Sequence, residues 1–279
     1  MAIVKRIVES YRWRRLLASC DLDPAKLLTP VDEPGPKNFI IAGCPRTGTS
    51  LLAAQLHRPP ELVTVMEPWD GLRLEPARLF ETLRSEIASG VLTSGRLDLE
   101  ALDRGKVSWR SEDEMSYPIA VDDDYSLGVK WPTFWQYLDL LPNTRFLITI
   151  RHPSSVIASF EQTKGRLAQG FDYDVPFNDR MNSYLASVTD DDEVRRVLLY
   201  EYVNSRIIPH LERPNVLVVP YERWHDDASS LMEEISAFLD VSITSQIEIL
   251  PRPVEDHPNR MMEMIVEHAP SARGLGYDI

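Results

Sequence analysis

The stretch that most constrains the fold runs from Asn38 to Leu52 and reads Asn-Phe-Ile-Ile-Ala-Gly-Cys-Pro-Arg-Thr-Gly-Thr-Ser-Leu-Leu. Phe39 to Ala42 is a brief, β-branched apolar run with a polar entry and a glycine exit, which predicts a buried strand. Gly43 and Gly48 frame a tight turn, and the apolar spacing from Ser50 onward predicts a helix. Such a strand, loop and helix N-terminus together form an anion site: backbone N–H groups converge there and the helix dipole favours negative charge.

Further strands are predicted at Leu62–Met66, Leu127–Pro132, Arg145–Arg151 and Val216–Glu222, with helices at Thr133–Leu141, Asp191–Leu211 and Ala228–Leu239 between and after them. This alternation predicts an α/β fold, a parallel β-sheet flanked by helices, with sites at the C-terminal ends of its strands. The whole chain, residues 1–279, reads as one domain. Residues 1–37 form an N-terminal helix and linker, 72–125 an inserted helical cap, and 164–190 a lid centred on the polar Gly165–Asp179 segment. Ile3, Val4, Ile7, Val8 and Tyr11 fall on one helical face. That face suits packing on the domain or on a second copy better than a membrane, which leaves a homo-oligomer open.

The formal net charge of -13 argues against nucleic acid as a partner, so a basic anion site must be a local pocket in an acidic surface. Two cysteines, Cys20 and Cys44, give no disulfide framework and point to a reducing, cytoplasmic setting. No apolar run reaches the length of a membrane span.

The spacing Gly43-x4-Gly48-Thr49-Ser50 is that of a P-loop, except that Thr49 stands where the phosphate-binding lysine is expected and the cation has moved forward to Arg46. A nucleotide or metabolite kinase also needs an acidic strand end to hold Mg²⁺. Here the strongest inner strand ends in Arg151 and the last in Tyr221-Glu222. Cations in these places predict an anionic ligand held without metal. A cysteine phosphatase is excluded because Ser50 occupies the position of its arginine, six residues after Cys44.

The segment from Gly43 to Ser50 resembles the loop with which sulfotransferases hold the 5′-phosphosulfate of 3′-phosphoadenylyl sulfate (PAPS). Arg151, followed eight positions later by Ser159, is similar to that family's 3′-phosphate site, and Val216–Glu222 with Ala228–Leu239 to its closing strand and helix. The resemblance covers about Asn38 to Val241. It implies a P-loop-like sulfotransferase fold, PAPS as co-substrate with 3′,5′-adenosine bisphosphate as product, and no metal. Gly43, Pro45, Arg46, Thr47, Gly48, Thr49 and Ser50 would line the donor site together with Arg151, Ser159, Tyr221 and Arg273. In the histidine-base class of the family a histidine precedes a strand-ending proline by two residues; here Lys130 holds that position. The chain is therefore more similar to the tyrosylprotein and carbohydrate branches. Glu67, 24 positions after Gly43, becomes the implied base, with Arg46 and Lys130 at the reacting group.

Read on their own, several of these residues have plainer uses. A lysine inside an apolar strand needs an anionic partner, which makes Lys130 the hardest to explain away. His57 at a helix end and His152 beside Arg151 are read as structural. Tyr221 suits either an adenine stack or a core position, and Trp131, Phe134 and Trp135 lie near the acceptor side but have the spacing of core aromatics. The acceptor is expected to be the hydroxyl of a small molecule, carbohydrate or peptide. The alternatives are a P-loop kinase and a non-catalytic nucleotide-binding module.

Overall fold

The computed structural model describes residues 32–92, 117–163, 165–173, 175–243 and 259–279. The expected N-terminal helix and residues 93–116 of the expected cap lie outside the described residues. The strands are β1 (Asn38–Gly43), β2 (Leu62–Met66), β3 (Val91–Leu92), β4 (Tyr117–Pro118), β5 (Ser126–Lys130), β6 (Arg145–Ile150) and β7 (Val216–Pro220). The principal helices are α1 (Thr49–Leu56), α2 (Pro76–Ala88), α3 (Pro153–Glu161), α4 (Asp179–Val188), α5 (Asp192–Ile207), α6 (Ala228–Leu239) and α7 (Asn259–His268).

Five strands pair in the order β2-β5-β1-β6-β7, every pair parallel. Both faces are covered, as a parallel sheet requires. Phe39 and Ile41 of β1 pack with Leu52 and Leu56 of α1 and Leu231 and Ile235 of α6. The alternate residues Ile40 and Ala42 face the larger cluster that holds Leu79 and Leu83 of α2, Val156 and Phe160 of α3, and Val197 and Tyr200 of α5. Gly128 makes room for this packing, since a Cβ there would lie 2.3 Å from Phe39 Cζ.

The helix α2 begins the 72–125 stretch and flanks the sheet. Arg84 donates from Nη2 to Asn38 Oδ1 at 2.7 Å and stands 4.5 Å over the Tyr125 ring, both at the N-terminal end of the sheet. Residues 165–173 are tied to α5. Arg195 donates to the Gln169 carbonyl at 2.8 Å and Arg196 to the Ala168 carbonyl at 2.7 Å, with Arg195 also 4.4 Å over the Phe171 ring. Gly170, at φ 76°, lets the backbones meet, because a Cβ there would lie 2.6 Å from Arg196 N.

One predicted helix is shorter than expected, and another is interrupted where its proline predicts. The Thr133–Leu141 segment is a 3₁₀ turn over Pro132–Tyr137, with Thr133, Phe134, Trp135 and Tyr137 all buried. It is enclosed on several sides, so it lacks the exposed face of an amphipathic helix. The long Asp191–Leu211 helix is capped by the Asp191 carboxylate, which accepts from Glu193 N at 2.8 Å, and gives way after Ile207 to a 3₁₀ turn around Pro209.

Candidate active site

The loop leaving β1 needs its glycines. Gly43 adopts φ 148° and Gly48 φ 99°. A Cβ on Gly43 would lie 2.5 Å from the Thr149 carbonyl oxygen, and one on Gly48 2.6 Å from Tyr221 Cδ2. Inside the loop Thr47 Oγ1 donates to the Cys44 carbonyl at 2.6 Å and meets Thr149 Oγ1 at 2.6 Å. Gly48 is the N-cap of α1, and no side chain caps that helix. The first N–H groups of a helix have no intrahelical partner, so the loop presents donors and the positive end of a dipole to an anion. Pro45 and Thr49 are buried in this loop, Ser50 is half-buried, and Arg46 is exposed at φ 72°.

Arg46 reaches away from the loop and donates from Nε to Ser159 Oγ on α3 at 2.8 Å. Arg151, at the end of β6, lies with its guanidinium 4.2 Å from the centroid of the Tyr221 ring. Tyr221 is therefore shared between Gly48 and Arg151. The adjacent Glu222 fixes the turn after β6: its Oε1 accepts from His152 N at 2.8 Å and its Oε2 from the Tyr277 hydroxyl at 3.2 Å. The C-terminal segment thus meets this end of the sheet through Tyr277, whose ring packs edge-on against His152 at 5.3 Å. Arg273 is exposed and its guanidinium donates to the Ile279 carbonyl at 3.3 Å.

Glu67 and Lys130 form the most buried ion pair of the site, with Nζ 2.5 Å from Oε1 and relative exposures of 8% and 3%. Strand register explains the meeting, since Met66 stands opposite Lys130 in the β2–β5 pair and Glu67 is the next residue. Glu67 N donates to the Lys130 carbonyl at 2.7 Å, and Glu67 sits at φ 48°, a strained value for a non-glycine residue. The anionic partner that a strand lysine requires is here a protein carboxylate, which leaves neither charge unpaired.

A second buried carboxyl, within electrostatic influence of this pair, escaped sequence reasoning. Asp172 is 1% exposed, its Oδ1 accepts from Tyr173 N at 2.7 Å, and its Oδ2 has no hydrogen-bond partner among the described residues. Burial raises it to about 7, with Glu67 pushing in the same direction and Lys130 opposing. The only signal in the sequence is its place between Phe171 and Tyr173, a weak one in a polar segment. Thr149, Glu222 and Tyr277 were likewise missed, because each acts through a partner distant in sequence.

The remaining candidates are structural. His57 Nδ1 accepts from Thr64 N at 3.2 Å, and burial lowers its pKa to about 4. His152 Nδ1 meets Ser154 Oγ at 2.6 Å in the turn after β6. Cys44 is fully buried and desolvation raises its thiol, so it is no ready nucleophile. Trp131, Phe134 and Trp135 belong to the core. Among the described residues no cluster of three or more His, Cys, Asp or Glu is placed to hold a metal ion, and no helix is long and apolar enough to cross a membrane.

Residues 38–245 match the sulfotransferase family. Nodulation protein NoeE of Sinorhizobium fredii is 31% identical over 137 residues, which cover 47% of this chain and 33% of that protein. The chain thus spans about a third of the length of this curated relative. Among solved structures, a sulfotransferase domain from the curacin biosynthetic pathway superposes with a TM-score of 0.47 at 15% identity, covering 90% of this chain and 100% of that one. The sulfotransferase domain of the Synechococcus PCC 7002 olefin synthase gives 0.46 at 17% identity, over 90% and 98%.

Proposed function

The chain belongs to the sulfotransferase family, and from that premise we propose that it moves a sulfuryl group from PAPS to a hydroxyl of an acceptor, with Glu67 as base. One observation carries this reading. A glycine cradle at the end of β1 and a buried carboxylate–ammonium pair at the ends of β2 and β5 stand on adjacent strands of one sheet. The residues fit the donor: the uncapped α1 N-terminus and Arg46 suit a 5′-phosphosulfate, while Arg151 and Ser159 suit a 3′-phosphate. The Arg46–Ser159 hydrogen bond already links the two places.

In this mechanism the acceptor oxygen bonds to sulfur as the sulfur–oxygen bond to the 5′-phosphate breaks, and the acceptor proton passes to a Glu67 oxygen. Positioning in line, with cations beside the leaving phosphate oxygen, supplies most of the acceleration. Arg46 and Lys130 are those cations. Lys130 also holds the Glu67 carboxylate ready, and when Glu67 takes the proton the ammonium is released from its partner as negative charge grows on the leaving group. The acceptor is a small molecule, a carbohydrate or a peptide bearing a hydroxyl. The test is sulfur-labelled PAPS incubated with panels of these three classes: label appearing in one class supports the reading, and Mg²⁺-dependent turnover of ATP in its place would overturn it.

A further inference from the structure

Arg151 stands where β6 leaves the sheet, and both peptide units that flank its Cα are held. The β6–β7 register runs to Ile150 opposite Pro220, and the Ile150 carbonyl accepts from Tyr221 N at 2.8 Å. One residue further on, side chains take the place of a strand partner. The Arg151 carbonyl accepts from the Tyr200 hydroxyl at 3.3 Å, and His152 N donates to Glu222 Oε1 at 2.8 Å. Those two groups belong to a single planar peptide unit, which is thus gripped from both ends. With the planes before and after it fixed, Arg151 keeps neither of its soft backbone dihedrals free, and the direction of its Cα–Cβ bond is set. Its guanidinium then lies 4.2 Å from the centroid of the Tyr221 ring, next to the loop after β1.

Glu222 is itself held from the C-terminal segment. Its Oε2 accepts from the Tyr277 hydroxyl at 3.2 Å, and the Tyr277 ring packs edge-on against His152 at 5.3 Å. The segment carrying Tyr277 is anchored on α5, where Glu201 Oε2 accepts from Ser271 N at 2.9 Å. Glu201 follows Tyr200, so one helix supplies both the donor to the Arg151 carbonyl and the anchor of the segment that holds Glu222. We infer that Glu222 and Tyr277 are positioning residues for the donor's 3′-phosphate: Glu222 holds the peptide that aims Arg151, and Tyr277 holds Glu222. This rests on the assignment of Arg151 to the 3′-phosphate made above. A carboxylate one residue removed from a phosphate-binding strand end repels the ligand, so its use here lies in the peptide N–H that it accepts. A neutral acceptor of the same shape would serve the same purpose.

The test is calorimetric titration of the native chain and its variants with adenosine 5′-phosphate and with 3′,5′-adenosine bisphosphate. The quantity read is the ratio of the two dissociation constants, which reports the 3′-phosphate alone and cancels a general loss of folded protein. The native chain is expected to prefer the bisphosphate. In Glu222→Ala that preference should fall about tenfold, and in Tyr277→Phe, which keeps the ring against His152, about threefold. Glu222→Gln, which retains an acceptor for His152 N, should keep it. In an Arg151→Met background Glu222→Ala should lower the ratio no further, because its effect passes through Arg151. An unchanged preference in Glu222→Ala, or an equal fall in the Arg151→Met background, overturns the inference. Should Glu222→Ala fail to fold, Tyr277→Phe decides, and an unchanged ratio there overturns it. A native chain that binds both ligands equally, or neither, removes Arg151 from a 3′-phosphate site and the inference with it. A native preference that survives the substitutions contradicts this inference alone.

Discussion

Arg46 Nε stands 2.8 Å from Ser159 Oγ, so the loop after β1 and the helix after β6 are joined by one hydrogen bond. The contact bridges the two positions assigned to the donor's phosphates. Replacing Ser159 with Ala removes a hydroxyl beside a guanidinium, an interaction worth about 1.5–3 kcal/mol when one partner is charged. Affinity for 3′,5′-adenosine bisphosphate should fall roughly tenfold or more, while affinity for adenosine 5′-phosphate changes less. Isothermal titration of both ligands checks this, and equal losses for the two would place Ser159 outside the 3′-phosphate site.

Glu67→Gln keeps the shape of the side chain and removes the base. Turnover should drop by about 10²–10⁴ with binding of 3′,5′-adenosine bisphosphate retained. Stability gives a separate reading of the same pair. Removing one partner of a buried ion pair commonly costs about 3–5 kcal/mol. Lys130→Met alone should therefore destabilise the protein more than Lys130→Met combined with Glu67→Gln, as urea unfolding of the four members of the cycle would show.

Gly48→Ala separates backbone strain from collision. At φ 99° an alanine is strained, and its Cβ would meet Tyr221 Cδ2 at 2.6 Å. Gly90, at φ 81°, has nothing among the described residues within 4 Å of the equivalent position, so Gly90→Ala carries strain alone. Strain of this kind costs about 1–3 kcal/mol. The Gly48 substitution should lower the melting temperature further than the Gly90 substitution. It should also weaken 3′,5′-adenosine bisphosphate binding, which Gly90→Ala leaves as it is.

The pH dependence of stability carries a signature of His57. Its native pKa is depressed to about 4 from 6.5, so it favours the folded state above 6.5 and that contribution is lost as pH falls toward 4. The loss by pH 5 should approach about 2 kcal/mol. His57→Gln, which keeps an acceptor for Thr64 N, should show a shallower decline in urea midpoint between pH 7 and 5 than the native chain.

Much of this was legible in the chain itself. The five strands of the parallel sheet could be read because each is a short apolar run closed by glycine, proline or charge, whereas the two-residue strands β3 and β4, inside the stretch read as a helical cap, were not; Ala228–Leu239 appears as a helix with those bounds. The five-stranded parallel sheet follows from the alternation of strands and helices. Meetings across the sheet were less legible. Lys130 announced a need for an anion, but its pairing with Glu67 depends on the register of Met66 against Lys130, which spacing alone does not specify. Asp172 was out of reach because its enclosure, with Asn182 of α4 holding its backbone, is a tertiary outcome that a polar segment does not signal.

The central claim is that the loop holds a nucleotide phosphorylated at both 3′ and 5′ positions, and thermal unfolding with two ligands tests it most directly. The account predicts that 3′,5′-adenosine bisphosphate, without metal, raises the melting temperature, and that ADP with Mg²⁺ does so less or not at all. Stabilisation by ADP with Mg²⁺ alone would contradict it.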